Sequence, residues 1–295
     1  MIKRRLKTWF QNKIGIGENG ERLKMTHLNH MLIRQLMPEV IPVEPNKASY
    51  AVFQEMDLEG IYPNIHINDI MFLGNLLYST DFNHSLTTYY KVGEETATQI
   101  AGYVAAHEQE HGVQVSSFLD FGSGYGRVGR FLPRALGPKV RLYASDVKAE
   151  ASGFCEKYLG FTQVAQTHEA SSFPTQERYD AIFAGSVFTH LQLADAEAWL
   201  DVLATALSTN GLLMFSTRSD AELKLHKATE FKFIAASEDT FFESTGESIK
   251  DGNQYGTAFI PKDLLDTMMK ARGLAYKVIP NGFAGTQDYV LAWKA

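Results

Sequence analysis

"FLDFGSGYGRVGR", residues 118–130, closes an apolar run on an acidic residue and then places four glycines within eight positions. The longer run "VSSFLDFG" (115–122) stays apolar up to its glycine, the pattern of a strand buried on both faces. A glycine-rich turn leading from such a strand towards a helix is where α/β proteins cradle nucleotide-like cofactors. Two glycine patterns overlap here. Gly124, Gly126 and Gly129 spell G-x-G-x-x-G, the dinucleotide fingerprint, whereas Gly122, Gly124 and Gly126 spell G-x-G-x-G with Asp120 two positions ahead. Asp120 tells them apart: a carboxylate at the mouth of the strand repels a pyrophosphate and suits a cofactor carrying an ammonium or sulfonium. The glycines let the backbone come close to that cofactor.

Working outward, strand-like and helix-like segments alternate. "GRVGRFLPRAL" reads as a helix start in which Pro133 is tolerable only in the first turns. "VRLYASDV" is a second strand, and "KAEASGFCEKYLG" a helix ended by Gly160. "FTQVAQTH", "YDAIFAGSV" and "GLLMFST" read as three more strands. Between the last two, Ala196, Trp199, Leu200, Leu203 and Leu207 share one helical face. This rhythm predicts an α/β fold with a mostly parallel sheet and helices on both faces. After the helix "PKDLLDTMMKARG", the strands "LAYKVIPNG" and "QDYVLAWKA" are joined only by "FAGT", too short for a parallel crossover. The last strand is therefore expected to run antiparallel. Residues 219–260 form a long connection of the length associated with lids and binding loops. Its aromatics are Phe231, Phe233, Phe241, Phe242 and Tyr255. Residues 1–85 read as a partly helical extension, with "HLNHMLIRQLM" before Pro38 and "NDIMFLGNLLY" further on.

Asp146, in "YASDV", falls at the end of the second strand, where a carboxylate can accept both hydroxyls of a ribose. Its alternative role is to cap the following helix. Val147 beside it is placed to lie against an adenine face. Asp120, Gly122, Gly124, Gly126, Asp146 and "YDAIFAGSVFTHL" together resemble the class I S-adenosylmethionine-dependent methyltransferases, most closely the small-molecule group with "DFGxGxGR" and "THL". The resemblance covers residues 86–295 and implies a Rossmann-like seven-stranded sheet with an antiparallel last strand. It also implies S-adenosyl-L-methionine as cofactor. Asp120, Phe121, Gly122, Ser123 and Gly124 would line its methionine part and Asp146 its ribose, while Ala170, in the segment after the third strand, would lie near adenine. The acidic residue many members carry there is replaced by "HEASS". Gly185 and Ser186 would border the meeting point of cofactor and acceptor. Arg127 and Tyr90 are candidates for the methionine carboxylate, with a helix-face charge and a core aromatic as their other roles. His190 in "THL" is a candidate base, because an imidazole titrates near neutrality. The competing and favoured account is structural: His190 starts or caps the helix region before "ADAEAW" and bonds to backbone.

Other chemistries fit less well. "HEQEH" (107–111) spells a zinc-peptidase helix, but Gly112 ends that helix at once and no third ligand motif follows. Base methylation is expected to show an N/D-P-P-Y/F segment at the fourth strand, which here reads "AGSV". A net charge of −6 argues against broad binding to nucleic acid. One cysteine, Cys155, excludes an internal disulfide and suits a reducing compartment, so a cytoplasmic location is expected. No apolar run is long enough to span a bilayer, and the basic start "MIKRRLKTWF" has no apolar stretch behind it. The expected partner is a small-molecule acceptor, with no bound metal. The alternatives to methyl transfer are a nicotinamide-dependent oxidoreductase and a cofactor-binding scaffold without turnover.

Overall fold

The computed structural model describes residues 40–43, 56–79, 81–235 and 256–294. At its centre is a seven-stranded sheet. Its strands are β3 (Ser117–Phe121), β4 (Arg141–Ser145), β5 (Thr162–Val164), β6 (Tyr179–Ala184), β7 (Leu207–Arg218), β10 (Leu274–Phe283) and β11 (Gln287–Lys294). The spatial order is β10-β11-β7-β6-β3-β4-β5. β3 pairs in parallel with both β4 and β6, and β6 with β7. β11 runs antiparallel to both of its neighbours, β7 and β10, so it alone is reversed. The four-residue link between the last two strands had led to that expectation.

Successive residues of β3 feed opposite faces of the sheet. Phe118 enters one hydrophobic core, and Leu119 and Phe121 enter the other. The first core is covered by α2 (Phe82–His111), the short α3 (Leu132–Leu136) and α4 (Ala149–Leu159). The second is covered by α5 (Leu193–Ala206) and α7 (Lys262–Lys270). Helices thus cover both faces, as expected. α2 starts where the Asp81 carboxylate accepts the Asn83 and His84 N–H groups, and stops where Gly112 turns left-handed. Its buried residues recur every three or four positions, from Ser85 to His107, which lays one stripe of the helix along the sheet.

Two expectations change in detail. The helix read at "GRVGRFLPRAL" is a 3₁₀ turn, Gly129–Phe131, followed by α3, which has Pro133 in its first turn. The proline lacks an N–H to give to a preceding carbonyl, so the α-helix begins with it instead of running through it. In the long connection, α6 (Asp220–Leu225) leads to β8 (Lys232–Ala235), which pairs antiparallel with β9 (Gly256–Phe259). The expected aromatics Phe241, Phe242 and Tyr255 lie outside the described residues, as do "MIKRRLKTWF" and "HLNHMLIRQLM". Of the N-terminal region, β1 (Val40–Ile41), β2 (Ile65–His66) and α1 (Ile70–Ser79) are described. Ile41, Ile61, Ile65, Phe72 and Leu73 sit in the same core as Phe118 and Leu142 of the sheet.

Gly93 is the point of closest approach between α2 and the glycine-rich segment, since a Cβ there would meet the Arg127 carbonyl and the Phe131 ring. Alanine in a helix gains about 1 kcal/mol over glycine, but overpacking against a backbone carbonyl costs about 3 kcal/mol. Gly93→Ala is therefore expected to lower stability by about 2 kcal/mol, read from the urea unfolding midpoint.

Candidate cofactor and acceptor site

The chain ends of β3, β4, β5 and β6 open on one edge of the sheet, and the residues singled out in the sequence gather there. Gly122, Gly124 and Gly126 all have positive φ, at 75°, 53° and 73°. An L-residue with a side chain resists that geometry. The loop they form is pinned to β4: the Gly122 and Ser123 N–H groups both donate to the Ser145 carbonyl, at 2.7 and 3.0 Å. The Gly124 N–H donates to Asp146 Oδ2 at 2.9 Å, and Asp146 Oδ1 accepts the Lys148 N–H at 2.8 Å. The N-cap of α4 is Lys148 and not Asp146, whose carboxylate bonds both the glycine loop and the backbone N–H of that N-cap residue. A carboxylate offers about four lone-pair sites, which leaves Asp146 acceptor capacity beyond these two bonds. Val147 follows it, half-buried, and Ala170 is buried in a 3₁₀ turn, Ala170–Ser172.

Asp120 is 2% exposed, and its Oδ2 has no hydrogen-bond partner. That oxygen lies 3.6 Å from where a Cβ on Gly129, in the 3₁₀ turn after the loop, would stand. Burial, and then the negative charge of Asp146, push its carboxyl up to about 7. Burial raises Asp146 as well, while the N–H bonds of Lys148 and Gly124 and the charge of Lys148 pull the other way. The Asp120 and Asp146 carboxylates thus lie near enough for the charge of one to raise the pKa of the other, a field that attracts a cation.

Opposite the loop stands the turn after β6. Gly185 and Ser186 follow Ala184 directly, and Ser186 is held at a φ of 57°, strained for a residue with a side chain. Its N–H donates to Ser216 Oγ at 2.7 Å, Ser216 Oγ donates to Gln287 Oε1 at 2.7 Å, and Gln287 Nε2 donates to Ser186 Oγ at 3.0 Å. The next residue, Val187, packs on Gly122, where a Cβ would come within 2.6 Å of its Cγ2. The two loops thus touch, and the glycine is what lets them.

The other candidates fall elsewhere. Arg127 is enclosed beside Tyr89 and Asp69, and burial lowers its pKa. Tyr90 is fully buried and donates its hydroxyl to the Pro63 carbonyl, among core aromatics. His190 holds its Nδ1 at 2.7 Å from the Gly256 carbonyl, and burial drives its pKa down to about 4. Next to it, the Thr189 carbonyl accepts the Ala258 N–H at 2.8 Å, so "TH" grips β9. "HEQEH" lies at the opposite edge of the sheet. His107 Nε2 is 2.7 Å from the Asn210 carbonyl, and Glu108 uses one carboxylate oxygen to accept the Val115 N–H. Among the described residues, no group of three His, Cys, Asp or Glu could hold a metal ion.

Residues 119–213, which span the glycine loop, Asp146 and the turn after β6, match the family model for a methyltransferase domain. The chain also resembles solved structures. One is an S-adenosylmethionine-dependent methyltransferase from Clostridium acetobutylicum ATCC 824, with 14% identity over 76% of this chain and 96% of that one, at a TM-score of 0.49. Another is DesVI of Streptomyces venezuelae, with 15% identity over 70% and 93%, also at 0.49. A third is the plantazolicin methyltransferase BamL, solved with a triazolic desmethylPZN analog and SAH, with 13% identity over 76% and 95%, again at 0.49. No curated protein matches the sequence.

Sequence reading of the methyltransferase domain missed Ser216 and Gln287, which are brought to the site by sheet register and not by any motif. It also missed Arg130, the last residue of the opening stretch, whose guanidinium is buried against residues far away in the chain.

Asp120 sets a pH dependence. Its folded pKa lies above the unfolded one, so between about pH 4 and 7 the folded protein binds the extra proton. Stability of the ligand-free protein should then fall as pH rises through that window. The loss is on the order of a few kcal/mol. Asp120→Asn should flatten the curve and be the more stable form at pH 8, as urea unfolding at pH 5 and pH 8 would show.

Proposed function

We propose that the protein transfers the methyl group of S-adenosylmethionine to an oxygen or nitrogen of a small-molecule acceptor. The observation that carries this reading is the pair of enclosed carboxylates, Asp120 and Asp146, flanking a loop of left-handed glycines. Asp120 Oδ2 has no hydrogen-bond partner, and Asp146 accepts the backbone N–H groups of Gly124 and Lys148. A dinucleotide would bring two phosphates against Asp120, whereas a methionine part brings an ammonium and a sulfonium. Asp146 suits a ribose in either case, so Asp120 decides between them.

S-adenosylmethionine supplies, when bound, a methyl group on a positively charged sulfur, open to in-line displacement. What remains for the chain is placement. Asp120 and the Gly122–Gly124 backbone hold the methionine part, Asp146 the ribose hydroxyls, and Val147 and Ala170 the adenine. Gly185 and Ser186 border the point where the acceptor enters. β8 and β9 of the long connection, fastened through Thr189 and His190, border the acceptor and bear on its selectivity. Holding the reacting atoms in line in an enclosed cleft is sufficient for most of the rate. In this reading His190 fastens β9 and is not the base, since an imidazole with a pKa near 4 accepts protons poorly at neutral pH.

Calorimetry with S-adenosylhomocysteine and with NADH tests the cofactor, and transfer of labelled methyl to a panel of small acceptors tests turnover. S-adenosylhomocysteine should bind and NADH should not; tighter binding of NADH would overturn the assignment. Asp146→Ala should weaken S-adenosylhomocysteine by about 1.5–3 kcal/mol, as for loss of hydrogen bonds to a charged group.

His190→Gln should keep the pH–rate profile while lowering the melting temperature. Disappearance of the acidic limb would return His190 to the role of base.

A further inference from the structure

The glycine loop does not stand on the sheet alone. Tyr125, inside it, is 5% exposed. Its ring lies flat against His66 of β2, with centroids 4.2 Å apart and planes 9° from parallel. The Tyr125 hydroxyl donates to Glu150 Oε2 at 2.9 Å, and Asn68 Nδ2 donates to the same oxygen at 3.0 Å. The His66 ring is itself fixed, because its Nδ1 accepts the Asn68 N–H at 3.1 Å.

Arg130 ties the far end of the loop to the same segment. Its Nε–H donates to the Gly126 carbonyl at 3.1 Å, while its NH1 donates to the carbonyls of Tyr62 and Asn64 at 2.9 and 3.2 Å. Its NH2 reaches the Tyr89 hydroxyl at 3.1 Å, and that hydroxyl donates to Asp69. The planar guanidinium thus bridges the last glycine of the loop and the backbone of residues 62–64 in one fixed geometry.

We propose that residues 61–69 are a working wall of the cofactor site, with His66 and Arg130 as positioning residues that hold the glycine loop in its binding shape. The proposal rests on the cofactor reading above and extends it to a segment outside the methyltransferase match at 119–213. The physical reason is the cost of the loop's shape. Three left-handed glycines give a conformation with little intrinsic preference, and the three N–H bonds to Ser145 and Asp146 fix only its near side. The ring stack and the Arg130 fork fix the remainder before the cofactor arrives, so less ordering is left to occur on binding.

The full-length protein tests this with S-adenosylhomocysteine as probe. Hydrogen exchange in the wild type should slow on binding over residues 61–69 together with 122–126. Protection at 122–126 without any at 61–69 would overturn the proposal. By calorimetry, His66→Ala should bind about tenfold more weakly, the loss expected for one aromatic pair, and His66→Phe should regain most of it. Tyr125→Leu removes the same stack from the other side and decides the matter if His66→Ala does not fold. His107→Ala is the control: it too alters a buried histidine bound to backbone, but at the opposite edge of the sheet, and should lose melting temperature without losing affinity. Weakening in His107→Ala equal to that in His66→Ala, or unchanged affinity in both stack variants, would reduce the segment to core packing. If the wild type itself does not bind S-adenosylhomocysteine, the cofactor reading fails and this proposal falls with it, whereas binding without protection at 61–69 overturns this proposal alone.

Discussion

The buried guanidinium of Arg130 is the constraint around which the upper part of the molecule is arranged. A cation that is 3% exposed must have its donors met from within the protein. Burial alone would push its proton off, but Tyr89, Tyr90 and Asp69 more than offset that, and its pKa rises. The partners come from four places: the glycine loop, the chain at 62–64, α2 through Tyr89, and Asp69, which caps the start of α1 by accepting the Met71 N–H. None of these can move independently without leaving a charge unpaired. The N-terminal region is for this reason continuous with the sheet's own core, where Ile65 and Phe72 pack with Phe118.

The legible parts of the sequence were those whose cause is local. β3 is readable because every one of its residues is buried, and the glycines because their φ values forbid other residues. The reversed last strand followed from a short link that allows nothing else. The illegible parts depend on distant partners. Nothing near Gln287 announces that register with β7 sets it beside Ser186 and Ser216. Nothing near His66 announces Tyr125. "HEQEH" misleads for the same reason: the spacing is right, but His107 lies where the carbonyl of Asn210 needs a partner, and Glu108 where the chain turns into β3.

The strained turn at Ser186 shows how the reversed strand enters the site without lining it. A positive φ in a residue with a side chain costs on the order of 1 kcal/mol or more, and bonds to Ser216 of β7 and Gln287 of β11, themselves bonded to each other, hold it in place. What the strain secures is the position of Val187 against Gly122, and with it the width of the gap between the two loops. β11 is thus both the closing strand of the sheet and the support of one lip of the cleft.

Two aspartates in this sheet separate structure from function. Asp180, at the lower end of β6, accepts from the N–H and hydroxyl groups of both Ser116 and Ser117 and from the Ser208 hydroxyl. Burial would raise its pKa, but those bonds lower it, so the charge is satisfied by the fold itself. Asp120, at the upper end of the neighbouring strand, has an oxygen with no donor and a pKa near 7. A fold selected only for stability has no use for that arrangement, since asparagine would avoid the buried charge and leucine the buried polar atom. In the proposed function a positive charge beside Asp120 would relieve that penalty, lower the carboxyl's pKa and fix it as the carboxylate. On the proposed cofactor reading, the unmet charge of Asp120 is what gives it affinity for a cationic group.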